Sequence, residues 1–176
     1  MKKLEAMKRY RAVKDPRARL GQGMTPPLMA DALLRLLGLS GGNWLELGSG
    51  SGRLAEAVRN SAAPLSYVGV ELEPSMIDLC PRHPGFEYLE HDVLSAASLG
   101  CSLEGREFDH VVGNPPYGVH GLPPKAKGRL LQLCPDLEAA FHWTPIDLYF
   151  VLESLSRLKS TGTGAFIVGA DIPCGA

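Results

Sequence analysis

At 176 residues the chain is one domain's worth, and its 45% apolar content is enough to bury a single core. Charged residues at 21% and aromatics at 7% exclude low-complexity disorder, and no apolar run approaches the roughly 20 residues of a membrane-spanning helix. The net charge of −1 conceals an uneven distribution: residues 1–20 hold eight Lys and Arg against two acids, which leaves the rest at −7, so the body is not a basic nucleic-acid platform.

The amino-terminal segment 1–20 reads either as a solvated helix with Leu4, Met7, Tyr10 and Val13 as its stripe, or as a DNA-contacting arm ahead of a core spanning 21–176. It lacks the apolar stretch of a secretory signal, which predicts a cytoplasmic protein that makes no use of a membrane. Cys80, Cys101, Cys134 and Cys174 are widely spaced without C-x-x-C, so they are expected to be reduced packing residues with no metal site.

Thr25-Pro26-Pro27 opens a helical pattern over Leu28 to Leu37, with Thr25 as the expected cap and Gly41-Gly42 as its end. A buried strand, Trp44 to Leu47, leads through a glycine-rich turn into a helix, Leu54 to Arg59. A second strand, Tyr67 to Glu71, precedes a helix opened by Pro74, and a third, Phe86 to Leu89, ends near Asp92. The fourth, Phe108 to Gly113, runs into Asn114-Pro115-Pro116-Tyr117, where two prolines must end the ladder. Residues 118–143 read as a long, partly ordered loop carrying a small basic cluster, Lys125, Lys127 and Arg129. Thr144-Pro145-Ile146-Asp147 fits a capping box ahead of a helix, Leu148 to Leu158, and Gly162 and Gly164 precede a fifth strand, Ala165 to Val168. This alternation predicts an α/β fold: a doubly wound, Rossmann-like and mostly parallel sheet.

The turn after the first strand reads Glu46-Leu47-Gly48-Ser49-Gly50-Ser51-Gly52, and Glu71 closes the next strand at the spacing where an acid meets a ribose. The pattern departs from the dinucleotide fingerprint, because Arg53 stands where the third glycine belongs and Glu46 would repel a pyrophosphate. A cofactor carrying an ammonium and a sulfonium would be favoured instead. Glu71 also suits an ordinary capping role before Pro74.

These residues resemble the class I S-adenosylmethionine-dependent methyltransferases. The resemblance implies S-adenosyl-L-methionine as cofactor, with Glu46, Gly48, Ser49 and Gly50 around its methionine part, Glu71 and Leu72 at the ribose, and Asp92 and Val93 at the adenine. It also implies a sheet of seven strands, of which the last are not visible in this sequence.

Asn114-Pro115-Pro116-Tyr117 stands at the carboxyl end of the fourth strand, where open α/β sheets place their chemistry. It matches the N-P-P-Y motif of methyltransferases that act on amino groups with a delocalised lone pair. In that family the Asn oxygen and the first proline's carbonyl accept the two amino hydrogens, roles that fall here to Asn114 and Pro115. Tyr117 would stack on an extruded base, a contact typically worth about 1–3 kcal/mol, and Pro115-Pro116 would stiffen the loop.

Gly21-Gln22-Gly23-Met24-Thr25-Pro26 looks like the G-Q-x-x-T-P element of adenine-specific DNA methyltransferases in the gamma arrangement, where the Thr-Pro region touches the methionine carboxylate. Thr25 inherits that role, although it also fits a plain helix cap. The resemblance implies methyl transfer to the exocyclic amino group of adenine in DNA, linked to restriction and modification. The alternatives are a protein glutamine or RNA guanine substrate, or a cofactor-binding subunit without activity of its own. With no recognition region visible, activity is expected to need a further segment or a partner subunit.

Overall fold

The computed structural model describes residues 25–95, 99–100, 102–117, 121–137 and 146–168. The basic segment 1–20, Gly21 to Met24, Cys101, Cys174 and the Thr144-Pro145 pair lie outside the described residues. Five parallel strands form one sheet in the order β3-β2-β1-β4-β5. They are β1 (Asn43–Leu47), β2 (Ser66–Glu71), β3 (Phe86–Glu90), β4 (Phe108–Gly113) and β5 (Leu158–Phe166). The helices are α1 (Pro27–Leu37), α2 (Arg53–Ser61), a single turn α3 (Pro74–Ile77), α4 (Pro124–Leu133) and α5 (Ile146–Leu155).

Strand alternation sorts the core into two layers. Trp44, Tyr67 and Val112 face α1 and α2, where they meet Ala30, Leu34, Leu54 and Val58. Leu45, Leu47, Val68, Val70 and Val111 face the other way, against Ala126 and Leu130 of α4 and Tyr149 and Phe150 of α5. The chain order reverses between β1 and β4, so a crevice opens beyond the carboxyl ends of these two neighbours, the switch point where open sheets bind ligands. No helix among the described residues is long and apolar enough to cross a membrane.

Several boundaries differ from the sequence reading. Thr25 does not cap α1: Pro26 is the cap residue and its carbonyl accepts from the amides of Met29 and Ala30 at 2.9 and 3.1 Å. The helix ends at Gly38 rather than at Gly41-Gly42, because Gly38 adopts the left-handed conformation, φ +57°, that closes a helix terminus. The expected loop at 118–143 contains α4, whose apolar stripe is too short to stand out but which is held by burial of Ala126 and Leu130 against α5. Arg129 is drawn inward to Glu153, so only Lys125 and Lys127 of the basic cluster project freely into solvent.

The fifth strand starts at Leu158, a residue assigned from sequence to the preceding helix, and runs through Gly162 and Gly164 instead of following them. Both glycines are there for space. A Cβ on Gly162 would stand 2.9 Å from the Asp109 carbonyl oxygen, and one on Gly164 would stand 2.8 Å from the Leu155 side chain.

Candidate active site

The turn after β1 is pinned from the neighbouring strand. The amides of Gly48 and Ser49 donate to the Val70 carbonyl at 2.8 and 2.9 Å, and the Gly50 amide donates to Glu71 Oε2 at 2.8 Å. Gly48 has φ +77° and lies against the Phe150 ring, where a Cβ would come within 3.1 Å of the ring edge. Gly50, at φ +52°, faces open space, so this is the point of the turn that a ligand can approach closely. The Ser49 hydroxyl is buried and has no hydrogen-bond partner among the described residues.

Three acids line the carboxyl ends of consecutive strands, in three different states. Glu46 is buried at 2% exposure and accepts a hydrogen bond from the hydroxyl of the fully buried Tyr67. Burial, with the nearby Glu71 charge adding and the Tyr67 bond opposing, pushes its carboxyl up to about 8. Glu71 is also buried, but it is held by backbone: Oε1 accepts from the amides of Leu72 and Glu73 at 2.9 and 3.0 Å, while Oε2 accepts from that of Gly50 at 2.8 Å. A carboxylate has about four acceptor sites, so one remains for a ribose hydroxyl, and a second opens if Gly50 yields. Asp92 is exposed, and its Oδ1 takes the Leu94 amide at 2.9 Å.

Leu72 is half exposed beside Glu71, as an apolar wall for a ligand would be. Val93 is 3% exposed with its side chain in the core, so this position can offer a ligand its backbone but no apolar surface. Cys80 is buried, its thiol donates weakly to the Gly50 carbonyl at 3.4 Å, and burial pushes it up to about 12, which excludes it as a nucleophile at neutral pH. Among the described residues no cluster of His, Cys, Asp and Glu gathers as metal ligands do.

Asn114 follows β4 directly and enters the same crevice, because β4 pairs with β1 in the register Glu46↔Val112. Its Nδ2 donates to the Thr25 hydroxyl at 2.8 Å, and its Oδ1 accepts from the Tyr117 hydroxyl, which also lies 2.8 Å from the Ile167 carbonyl oxygen. Pro115 is buried, Pro116 and Tyr117 half-buried. Burial, with the Asp147 charge adding, raises the Tyr117 phenol above its usual value, so it remains a protonated donor. The geometry thus brings Thr25, Asn114 and Tyr117 together and places Glu46, Glu71 and Gly50 along the adjoining strand ends.

Three contributors escaped the sequence reading: Tyr67 on Glu46, Phe150 on Gly48, and the buried Asp147 near Tyr117. The signal for Tyr67 is its parity with Glu46 once β1 and β2 are set in register, Trp44 opposite Tyr67. The donor set fits a ligand that offers a cation and hydroxyls. The carboxyl of Glu46 is poised to ionise beside a positive charge, Glu71 can accept from a hydroxyl, and Gly50 clears the approach.

No family model matches the chain. It is 30% identical over 158 residues to a type II methyltransferase of Thermus thermophilus, covering 86% of this chain and 35% of that protein. It is 27% identical over 134 residues to the tRNA1(Val) (adenine(37)-N6)-methyltransferase of Glaesserella parasuis serovar 5, covering 72% of this chain and 51% of the relative. The chain therefore spans about a third of the length of the first of these curated relatives and about half of the second. Among solved structures, a TehB-like SAM-dependent methyltransferase from Corynebacterium glutamicum superimposes with a TM-score of 0.51 at 18% identity, over 96% of this chain and 73% of that one, which is a likeness of fold. The sequence kinship and the fold agree: the chain's relatives are S-adenosylmethionine-dependent methyltransferases, and its fold is that of the class I enzymes.

Proposed function

We propose that the chain is the catalytic core of an N-methyltransferase whose target is the exocyclic amino group of adenine in DNA. The observation that carries this reading is Asn114-Pro115-Pro116-Tyr117 standing at the end of β4, beside the β1 turn, with a side-chain amide fixed on both sides. Bound at the turn, S-adenosylmethionine supplies an electrophilic methyl group on a sulfonium. Glu46, Gly48, Ser49 and Gly50 hold its methionine end, Glu71 and Leu72 its ribose, and Asp92 with the Val93 backbone its adenine.

Asn114 Oδ1 and the Pro115 carbonyl accept the two hydrogens of the target amino group, which localises the nitrogen lone pair and directs it. Neither acceptor can take up a proton, so orientation and electrostatics carry the catalysis. Tyr117 supplies an aromatic face for the base, and reaching it in duplex DNA requires flipping the nucleotide out of its stack. The match to the type II enzyme, over 86% of the chain, supports a DNA target. The match to the tRNA enzyme, over 72%, favours a second reading in which the adenine is in RNA.

Incubation with methyl-labelled cofactor and separate pools of duplex DNA, RNA and protein tests both. Label in DNA adenine supports the first reading, label in RNA adenine the second, and label in protein glutamine overturns both. Asn114→Ala is expected to abolish transfer while leaving cofactor affinity near the parent's, because it touches the target.

A further inference from the structure

We propose that Thr25 is a positioning residue for the reaction: its hydroxyl anchors the Asn114 side chain at the crevice, within reach of the target amino group. The inference rests on the reading of Asn114 given above and assigns to Thr25 a task other than contact with the cofactor.

Geometry removes the competing explanations for a buried threonine here. Thr25 is 8% exposed at the entrance to α1, where a helix cap would be expected, yet no side-chain cap is formed. The helix does not require one. Pro26 and Pro27 carry no amide hydrogens, Leu28 is exposed to solvent, and the amides of Met29 and Ala30 are taken by the Pro26 carbonyl. The hydroxyl instead reaches across 89 residues of sequence to Asn114 Nδ2 at 2.8 Å. Two consecutive prolines restrict the backbone immediately after Thr25, so its hydroxyl is held at a defined place.

A carboxamide is nearly symmetric in shape but opposite in chemistry at its two ends. A half-turn about its last bond replaces an acceptor by a donor, and an amino group would then meet N–H instead of oxygen. Two hydroxyls hold the Asn114 amide, and because a hydroxyl can donate or accept, what they fix is the place of the side chain in the crevice. Its nitrogen is on Thr25 and its oxygen is on the Tyr117 side.

The Tyr117 hydroxyl has one proton and two oxygens within reach, Asn114 Oδ1 and the Ile167 carbonyl. When a target amino group donates to Oδ1, the phenol proton can stay on Ile167 and no buried donor is stranded. Thr25 thus keeps the side chain in place while Tyr117 exchanges one acceptor for the other.

The test compares Thr25→Val, which keeps the shape and removes the hydroxyl, with Thr25→Ser, which keeps the hydroxyl. In nitrogen-labelled protein the two Asn114 side-chain amide protons, identified by their loss in Asn114→Ala, are expected to move in Thr25→Val and to return toward their parent positions in Thr25→Ser. In the transfer assay, Thr25→Val is expected to lower kcat by about three- to tenfold, the worth of one neutral hydrogen bond, with cofactor Kd unchanged, and Thr25→Ser recovers it. Unmoved Asn114 amide signals in Thr25→Val overturn the inference. So does a loss confined to cofactor Kd, which returns Thr25 to the methionine carboxylate. A parent protein that labels no substrate overturns the reading of the reaction, and the amide signals alone then decide on Thr25.

Discussion

Glu46 offers a direct way to measure how the site is built into the sheet. It sits in β1 at 2% exposure, hydrogen-bonded by the equally buried Tyr67, and its carboxyl is pushed from an ordinary value of 4.5 to about 8, chiefly by burial. In the unfolded chain it ionises normally. Between those two values the native state therefore holds a proton that the unfolded chain has released, and stability must fall as pH rises. The contribution is complete below about pH 4.5 and is lost as pH climbs through about 8. Over a window of about two pH units inside that range, at about 1.4 kcal/mol per unit, the loss is about 2.5–3 kcal/mol. Glu46→Gln keeps an acceptor for Tyr67 and removes the titration, so its urea-unfolding free energy is expected to lack this slope. Other titrating groups cancel in the comparison of the two profiles. Parallel profiles for parent and variant would refute the reasoning. The same chemistry predicts that binding a cationic cofactor near neutral pH expels the Glu46 proton, so the calorimetric heat of binding should depend on the buffer's ionisation enthalpy in the parent and not in the variant.

Glu71→Ala strips the acceptor from three amides and is expected to lower stability by about 1–3 kcal/mol and cofactor affinity at least tenfold; chemical denaturation and calorimetry separate the two, and unchanged affinity makes Glu71 a turn clamp alone. Glu153→Leu leaves Arg129 and Arg157, now 3.0 and 2.7 Å from a carboxylate that is 1% exposed, without a carboxylate partner. The expected cost is about 3 kcal/mol, read from the denaturation midpoint, because both arginines retain some access to water. Gly162→Ala forces a methyl against the Asp109 carbonyl and is expected to cost about 1–3 kcal/mol by thermal unfolding, without altering the β1 turn or cofactor affinity.

The central strands were legible because parallel strands buried on both faces read as apolar runs, and β4 emerges within its expected bounds, Phe108–Gly113. The glycine turn and Asn114 were legible for a different reason: their residue types are dictated by local backbone and by chemistry, with little contribution from neighbours. What could not be read depends on tertiary partners. The helix α4 is stabilised by α5, against which Ala126 and Leu130 are buried and to which Arg129 is tied. The glycines of β5 look like turn residues until the close approach of Asp109 and Leu155 is known. Thr25 has the sequence of a cap, and only the distance to Asn114 shows that its hydroxyl is spent elsewhere.

Glu71 stands out in the sequence and the partner of Thr25 does not, and one physical cause accounts for both. Three side-chain acceptors in the crevice already have protein donors: Tyr67 on Glu46, three amides on Glu71, and Tyr117 on Asn114. Sequence identifies the acceptor because its chemistry is rare at that place, whereas its donors are backbone amides and hydroxyls found everywhere. Such a crevice admits a ligand by exchange of hydrogen bonds, which costs less than leaving buried acceptors bare. Exchange also implies motion at defined points. A ribose that donates two hydroxyls to Glu71 while Oε1 keeps its two amides must displace the Gly50 amide from Oε2, and Gly50 is the glycine of the turn with open space on its Cβ side and contact with Glu71. Cofactor binding is therefore expected to be felt first in the glycine turn and from there in Phe150 of α5, whose ring rests on Gly48 and whose helix carries Asp147 toward Tyr117. That path would connect the glycine turn to the Asn114–Tyr117 segment through one packed ring and one buried charge.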